Sequence, residues 1–273
     1  MTPFWDYYLS AVSFLFGACV GSFLNVCIHR IPRGESIVAP RSRCPHCGAP
    51  IAWYDNIPLL SFLLLRARCR RCRGAISPRY FLVELLVSIL FLAVWGVYGA
   101  SPLTPVHWLV VSGLVLATFV DIEHLIIPDR VSLGGIAAGL ALSPLVPALH
   151  GAATPLAGLT SAAIGAASGA GLLYGVSVLG KLIFRKDAMG LGDVKLLGAI
   201  GAFLGWRAVL FTVVVSSFAG AVAGLYFIVT RRKEWQSRIP YGPYLALAAA
   251  VWILGGCNWW AMYLQWLLRA PPM

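Results

Sequence analysis

Eight runs of apolar residues, at about 7–28, 81–99, 106–123, 131–149, 157–180, 191–205, 208–229 and 242–265, constrain this chain more than any other feature. Stretches of roughly 18 or more such residues lose too much by facing water and predict membrane-spanning helices. The composition agrees, with 59% hydrophobic residues, 11% charged and a mean hydropathy of +0.81. A soluble domain of this length could not hide that much apolar surface. The expected fold is therefore an all-α polytopic membrane protein of about eight transmembrane helices in a lipid bilayer. The sixth run gives roughly 22 Å of helix at ~1.5 Å per residue, against a hydrocarbon core of ~30 Å. It is expected as a partial span or beside a thinned, water-accessible region.

A formal net charge of +11 raises the question of nucleic acid, and the placement of the charge argues against it. Basic residues crowd 29–80, from Arg30 to Arg79, and recur at Arg130, at Lys181, Arg185, Lys186 and Lys195, and at Arg231, Arg232, Lys233 and Arg238. With eight spans, all 21 lie on one side except Arg207 and Arg269. Cytoplasmic loops carry such an excess, so both termini are expected outside the cytoplasm. Residues 1–28 read as an uncleaved first span, because no basic residue precedes the apolar run. Residues 29–80 then form a cytoplasmic loop domain between the first two spans, and 81–268 the membrane bundle.

That loop contains Cys44, Cys47, Cys69 and Cys72, two C-x₂-C pairs. Each pair can place two thiolates on one tetrahedral Zn²⁺, and two pairs close its shell. Disulfides are the alternative, but a basic loop points to a reducing cytoplasm where structural disulfides are rare. The expectation is a zinc-ribbon-like loop with a structural ion, since four sulfurs leave no position for an activated water. His46, inside the first pair, and His29 are spare ligand types that the site does not need. Cys19, Cys27 and Cys257 lie in or beside spans, where a thiol is a small core residue.

Two aspartates stand at the same expected membrane face. Asp121 ends the third span in "LATFVDIEHLIIPDR", and Asp193 opens the sixth in "GLGDVKLLGAIGAFLGW". Ionisable groups at that depth are costly and mark a site by default, although either alone could be a solvated helix-terminal residue. Gly190 and Gly192 permit a tight turn before Asp193, which gains from the exposed N–H groups of a helix N-terminus. Two close carboxylates share a proton, so that one activates water while the other protonates a scissile carbonyl. Glu123 is the reserve carboxylate, Asp129 reads as a loop or cap residue, and His124 as an interfacial histidine. The pairs Gly135/Gly139, Gly165/Gly169 and Gly220/Gly224 offer close helix packing. "GLGD" lacks the residues of a phosphate loop, and no serine-hydrolase or zinc-hydrolase motif is present.

From "GSFLNVCIHRIPRGES" through both cysteine pairs, "WYDNIPLLSFLLL", "ISPRYFLVELL", "DIEHLIIPD" and "GLGD" to "RIPYGPYLA", the chain resembles the type IV prepilin peptidases, bacterial relatives of the GxGD intramembrane aspartyl proteases. The resemblance implies that Asp121 and Asp193 are catalytic and that the four cysteines are a zinc-type tetrad. It implies prepilin or pseudopilin substrates of a pilus, secretion or competence system, processed at the inner membrane. Their short basic leader is removed on the cytoplasmic side, after a glycine. It also implies N-methylation of the new N-terminus from S-adenosylmethionine. Many members carry glycine two residues before the third cysteine. Here that residue is Ala67, whose Cβ resists positive φ, and the departure bears on methylation more than on proteolysis. Without the resemblance, a membrane scaffold with capping aspartates or a proton-coupled transporter with carboxylate relays would fit the same residues.

Overall fold

The computed structural model describes residues 3–185, 190–230 and 240–269. Lys186, residues 187–189 ahead of the glycine turn, and the basic residues Arg231, Arg232, Lys233 and Arg238 lie outside the described residues. The chain divides into two compact units, 1–116 and 117–273. Among the described residues the structure is helical, with only two isolated β-bridges.

The first unit holds α1 (Pro3–Arg30), the short α2 (Leu60–Leu64), α3 (Pro78–Tyr98) and the first part of α4 (Leu103–His124). Ser77 caps α3 by accepting the Arg79 N–H, with Pro78 in the first turn, and Gly99 ends it at φ 56°. Helices α1 and α3 approach backbone to backbone. A Cβ on Gly17 would lie 2.8 Å from Ser88 Cα, and one on Gly21 2.7 Å from Glu84 Cα. Asn25 then donates to the Tyr80 carbonyl at 3.0 Å, and Trp108 stacks on Phe91 with centroids 4.9 Å apart.

The second unit holds the end of α4, then α5 (Asp129–Leu142), α6 (Pro155–Phe184), α7 (Leu191–Val229), α8 (Gly242–Val251), a π-helical turn (Trp252–Gly256) and α9 (Cys257–Arg269). Helix α7 is broken at Gly205, whose φ of 80° and ψ of 171° no helix contains. A Cβ on Gly201 would lie 2.9 Å from Val209 Cγ2, whereas residues that far apart on a straight helix are separated by about 12 Å. The 206–229 half therefore folds back on the 191–204 half. The expected close glycine packing is present at two of its three sites. Gly135 and Gly139 meet Ala199 and Ala202, and Gly165 and Gly169 meet the backbone of Gly201 and Leu197. Gly220 has ordinary contact with Tyr241 and Tyr244.

Among the described residues, six helices are long and apolar enough to cross a membrane. Two of the eight expected spans are not separate helices of that length. The run 131–149 is helical only to Leu142, after which Ser143 and a short 3₁₀ turn at Pro147–His150 take over. The runs 191–205 and 208–229 are the two arms of α7. Large apolar side chains cover the outside of this unit, among them Phe218 at 73% and Leu156 at 70% exposure, which suits lipid and not water.

The α6–α7 contact predicts an asymmetry between neighbouring glycines. Gly169→Val should lower stability by about 1–3 kcal/mol, because its side chain meets the Leu197 carbonyl. Gly171→Val, which faces open space, should stay within about 0.5 kcal/mol of the parent. Thermal unfolding in detergent reads both, and equal effects would contradict the packing.

Candidate functional site

The four loop cysteines come together from two copies of one turn. In the first, Cys44 N–H bonds the Ala49 carbonyl at 2.9 Å and Gly48 N–H returns to Cys44. In the second, Cys69 N–H bonds the Gly74 carbonyl at 2.8 Å and Arg73 N–H returns to Cys69. The fifth residue of each turn has positive φ, 68° at Gly48 and 59° at Arg73. The four sulfurs lie within 4.8 Å of one another, and Cys44 Sγ is 3.8 Å from Cys72 Sγ. Tetrahedral Zn²⁺ with sulfurs at about 2.3 Å needs sulfur separations near that value, so the residues fit a metal ion.

The surrounding loop fixes both turns. His46 is no ligand: its Nε2 lies 3.1 Å from the Ala75 carbonyl across the second turn. Arg70 grips Asp55 through Nε and Nη2 at 2.7–3.0 Å. Glu84 of α3 accepts the Leu59 N–H at 2.8 Å. Ala67 takes φ 57°, the left-handed shape a glycine would adopt, with its N–H on Phe62 and its carbonyl bound by Ile76. The alanine thus accepts a cost of about 1 kcal/mol and keeps the backbone shape.

In the second unit, α4 ends at His124 with Leu125 in the left-handed region at φ 55°, its N–H on the Asp121 carbonyl. The chain then turns back through Ile127, and Pro128 caps α5. Asp121 is only 5% exposed, and its Oδ2 accepts the Gly242 N–H at 2.9 Å. A Cβ on Gly242 would sit 2.7 Å from that oxygen, so the amide reaches it only because the residue is glycine. Tyr241, the preceding residue, is tied to Ser216 through its hydroxyl at 2.7 Å. Asp193 sits half-buried in the first turn of α7, its N–H on the Gly190 carbonyl at 3.2 Å. It lies within electrostatic reach of Asp121. Ile127 packs against both the turn that carries Asp193 and the Gly242 anchor: Cβ atoms on Gly192 and Gly242 would come within 3.1 and 3.2 Å of its side chain.

The structure thus brings Asp121 and Asp193 together from different helices. It leaves the other acidic candidates aside. Glu123 is exposed, with a carboxylate oxygen 4.0 Å from His124 Nε2. Asp129 pairs with Lys195 at 2.7 Å. In the sequence Gly242 stands within "RIPYGPYLA". The Gly-Pro pair marks a helix start, but nothing in it announces a carboxylate anchor.

A helical membrane protein with a carboxylate pair at two helix ends and a tetrathiol loop is the class that these features define. Residues 15–98 match the family model described as the bacterial Peptidase A24 N-terminal domain, and 108–225 match the type IV leader peptidase family. A prepilin leader peptidase/N-methyltransferase of Aeromonas salmonicida is 37% identical over 296 residues, covering 97% of this chain and 96% of the relative. The protein of the same description from Aeromonas hydrophila is 39% identical, covering 92% of each chain. That from Myxococcus xanthus is 44% identical over 79% of this chain and 62% of its own. No solved structure matches. The chain belongs to the type IV leader peptidase family.

The two thiols of the second turn differ in acidity. The Cys72 and Arg71 N–H groups hold Cys69 down at about 6. Although the Gly74 N–H favours its thiolate, Cys72 is pushed up to about 11 by desolvation and by sharing protons with neighbouring sulfurs. In metal-free protein at pH 7, iodoacetamide should therefore modify Cys69 well before Cys72, and the Cys69 rate should fall as pH drops through about 6. Peptide mass spectrometry reads the order; equal labelling would contradict the assignment.

Proposed function

We propose that this chain cleaves the leader of prepilins or pseudopilins with Asp121 and Asp193 and then methylates the exposed N-terminus. The observation that carries the reading is the buried Asp121 carboxylate, held by a backbone amide and within reach of Asp193. One of the pair takes a proton from water as the water attacks the scissile carbonyl, and the other protonates the carbonyl oxygen. The tetrahedral intermediate collapses as the leaving amine receives a proton. Neither step needs a metal.

In this reading residues 29–80 are the cytoplasmic domain, with Zn²⁺ on Cys44, Cys47, Cys69 and Cys72 as a staple for a loop with little core of its own. Residues 81–268 carry the hydrolytic pair. Both termini lie outside the cytoplasm of a bacterial inner membrane, and the basic loops lie inside. Methylation uses S-adenosylmethionine. When bound, it would supply the methyl carbon to the free amine of the new N-terminus, its sulfur keeping the C–S bonding pair and the surplus amine proton going to solvent.

Asp121→Asn and Asp193→Asn should each reduce leader cleavage by about a thousandfold or more with the fold intact. Full cleavage by either would remove the pair and favour the scaffold reading. Gly242→Ala should cut kcat by about 10–100-fold with KM little changed, because its Cβ would sit 2.7 Å from Asp121 Oδ2 and displace the carboxylate. Reconstituted prepilin followed by mass spectrometry reads all three variants.

A further inference from the structure

A cleft of about 420 Å³ opens between the end of α1 and the 37–56 loop, and the hydrolytic mechanism makes no use of it. Small-molecule pockets run roughly 300–1,000 Å³, so it has room for a ligand of nucleoside size. Phe23, on the membrane-spanning α1, lines one side, and Trp53 lines the other with a ring 80% exposed in a loop outside any span, where an uncovered indole is unusual. Ser42 and Asn56 add hydroxyl and amide groups that donate and accept. Of its two cations, Arg30 is committed to structure: its Nη1 and Nη2 bond the Ser36 and Pro40 carbonyls at 2.8 and 2.7 Å and hold one wall in place. That leaves Arg41 to meet an anionic group.

An occupant suited to these walls has a flat heteroaromatic ring to stack, polar edges, a carboxylate and a cation that an aromatic face attracts. Resting on the methyltransferase reading above, we propose that the cleft binds the methyl donor, S-adenosylmethionine. Trp53 and Phe23 hold the adenine and the sulfonium, Asn56 and Ser42 meet the purine and ribose edges, and Arg41 pairs with the methionine carboxylate. The cleft lies wholly within the first unit, beside the tetrathiol turns. The metal staple then acts on methylation by shaping the loop that carries Ile51 and Trp53.

The test is equilibrium binding of labelled S-adenosylmethionine to the full chain in nanodiscs, with bound zinc measured in every sample. Ultraviolet crosslinking then maps the labelled peptide. Trp53→Ala should weaken binding by about tenfold or more, Trp53→Phe by less than about threefold, and Arg41→Ala by about fivefold, with zinc retained. The crosslink should fall within 37–56 or on the α1 stretch 23–30 that lines the cleft. Binding by the parent chain that neither substitution changes, or a crosslink mapped elsewhere, overturns the cleft and leaves the methyltransferase reading standing. Loss of zinc or of membrane association in Trp53→Ala, with Arg41→Ala binding normally, makes the ring an interfacial anchor and also overturns it. A parent chain that cleaves prepilin but binds no S-adenosylmethionine overturns the methyltransferase reading itself.

Discussion

A single hydrogen bond, from the Gly242 amide to the buried Asp121 carboxylate, governs the arrangement around it. A carboxylate taken out of water needs a donor that stays in place, and a backbone N–H at the start of a helix is such a donor. The amide reaches the oxygen because residue 242 has no side chain. Its position is set from behind by Tyr241, whose hydroxyl is tied to Ser216 on the returning arm of α7. Ile127 fills the space between this anchor and the turn that carries Asp193. The chemistry proposed for the pair thus depends on a glycine, a tyrosine and an isoleucine that carry no charge.

The 29–80 loop solves a different problem. Between residues 31 and 77 only Cys44 and Ser61 are buried, and two equivalent turns converge four sulfurs in place of a core. Further ties fix the frame: Arg70 to Asp55, His46 to the Ala75 carbonyl, and Leu59 to Glu84 on α3. The last joins the loop to the helix that α1 meets at Gly17 and Gly21. Shape set at the thiolates is thereby transmitted to the helical part of the same unit.

Much of this was readable in the sequence because it rests on local signals. Apolar runs set the helices, C-x₂-C spacing set the turns, and a glycine turn before an apolar helix set the place of Asp193. What escaped is tertiary. Gly205 is one of several glycines in "GAIGAFLGW", and only the folded chain shows which of them reverses direction. The run 131–149 kept its apolar content past Leu142, but Ser143 and Pro147 ended the helix early. Gly242 looked like an ordinary helix start because its partner lies on a distant helix. Ala67 looked like a steric fault, yet the loop's hydrogen bonds hold it in the geometry expected of glycine.

The reversal at Gly205 also has a mechanical consequence. The 191–204 arm that carries Asp193 is clamped by α5 at Ala199 and Ala202, by α6 at Leu197 and Gly201, and by its own return at Val209. These are contacts of backbone and methyl groups, with no long side chains to yield by changing rotamer. Asp193 is therefore the anvil of the pair. The Gly242 anchor on the other side is held more sparingly, by one hydroxyl–hydroxyl bond at Tyr241 and one amide to Asp121.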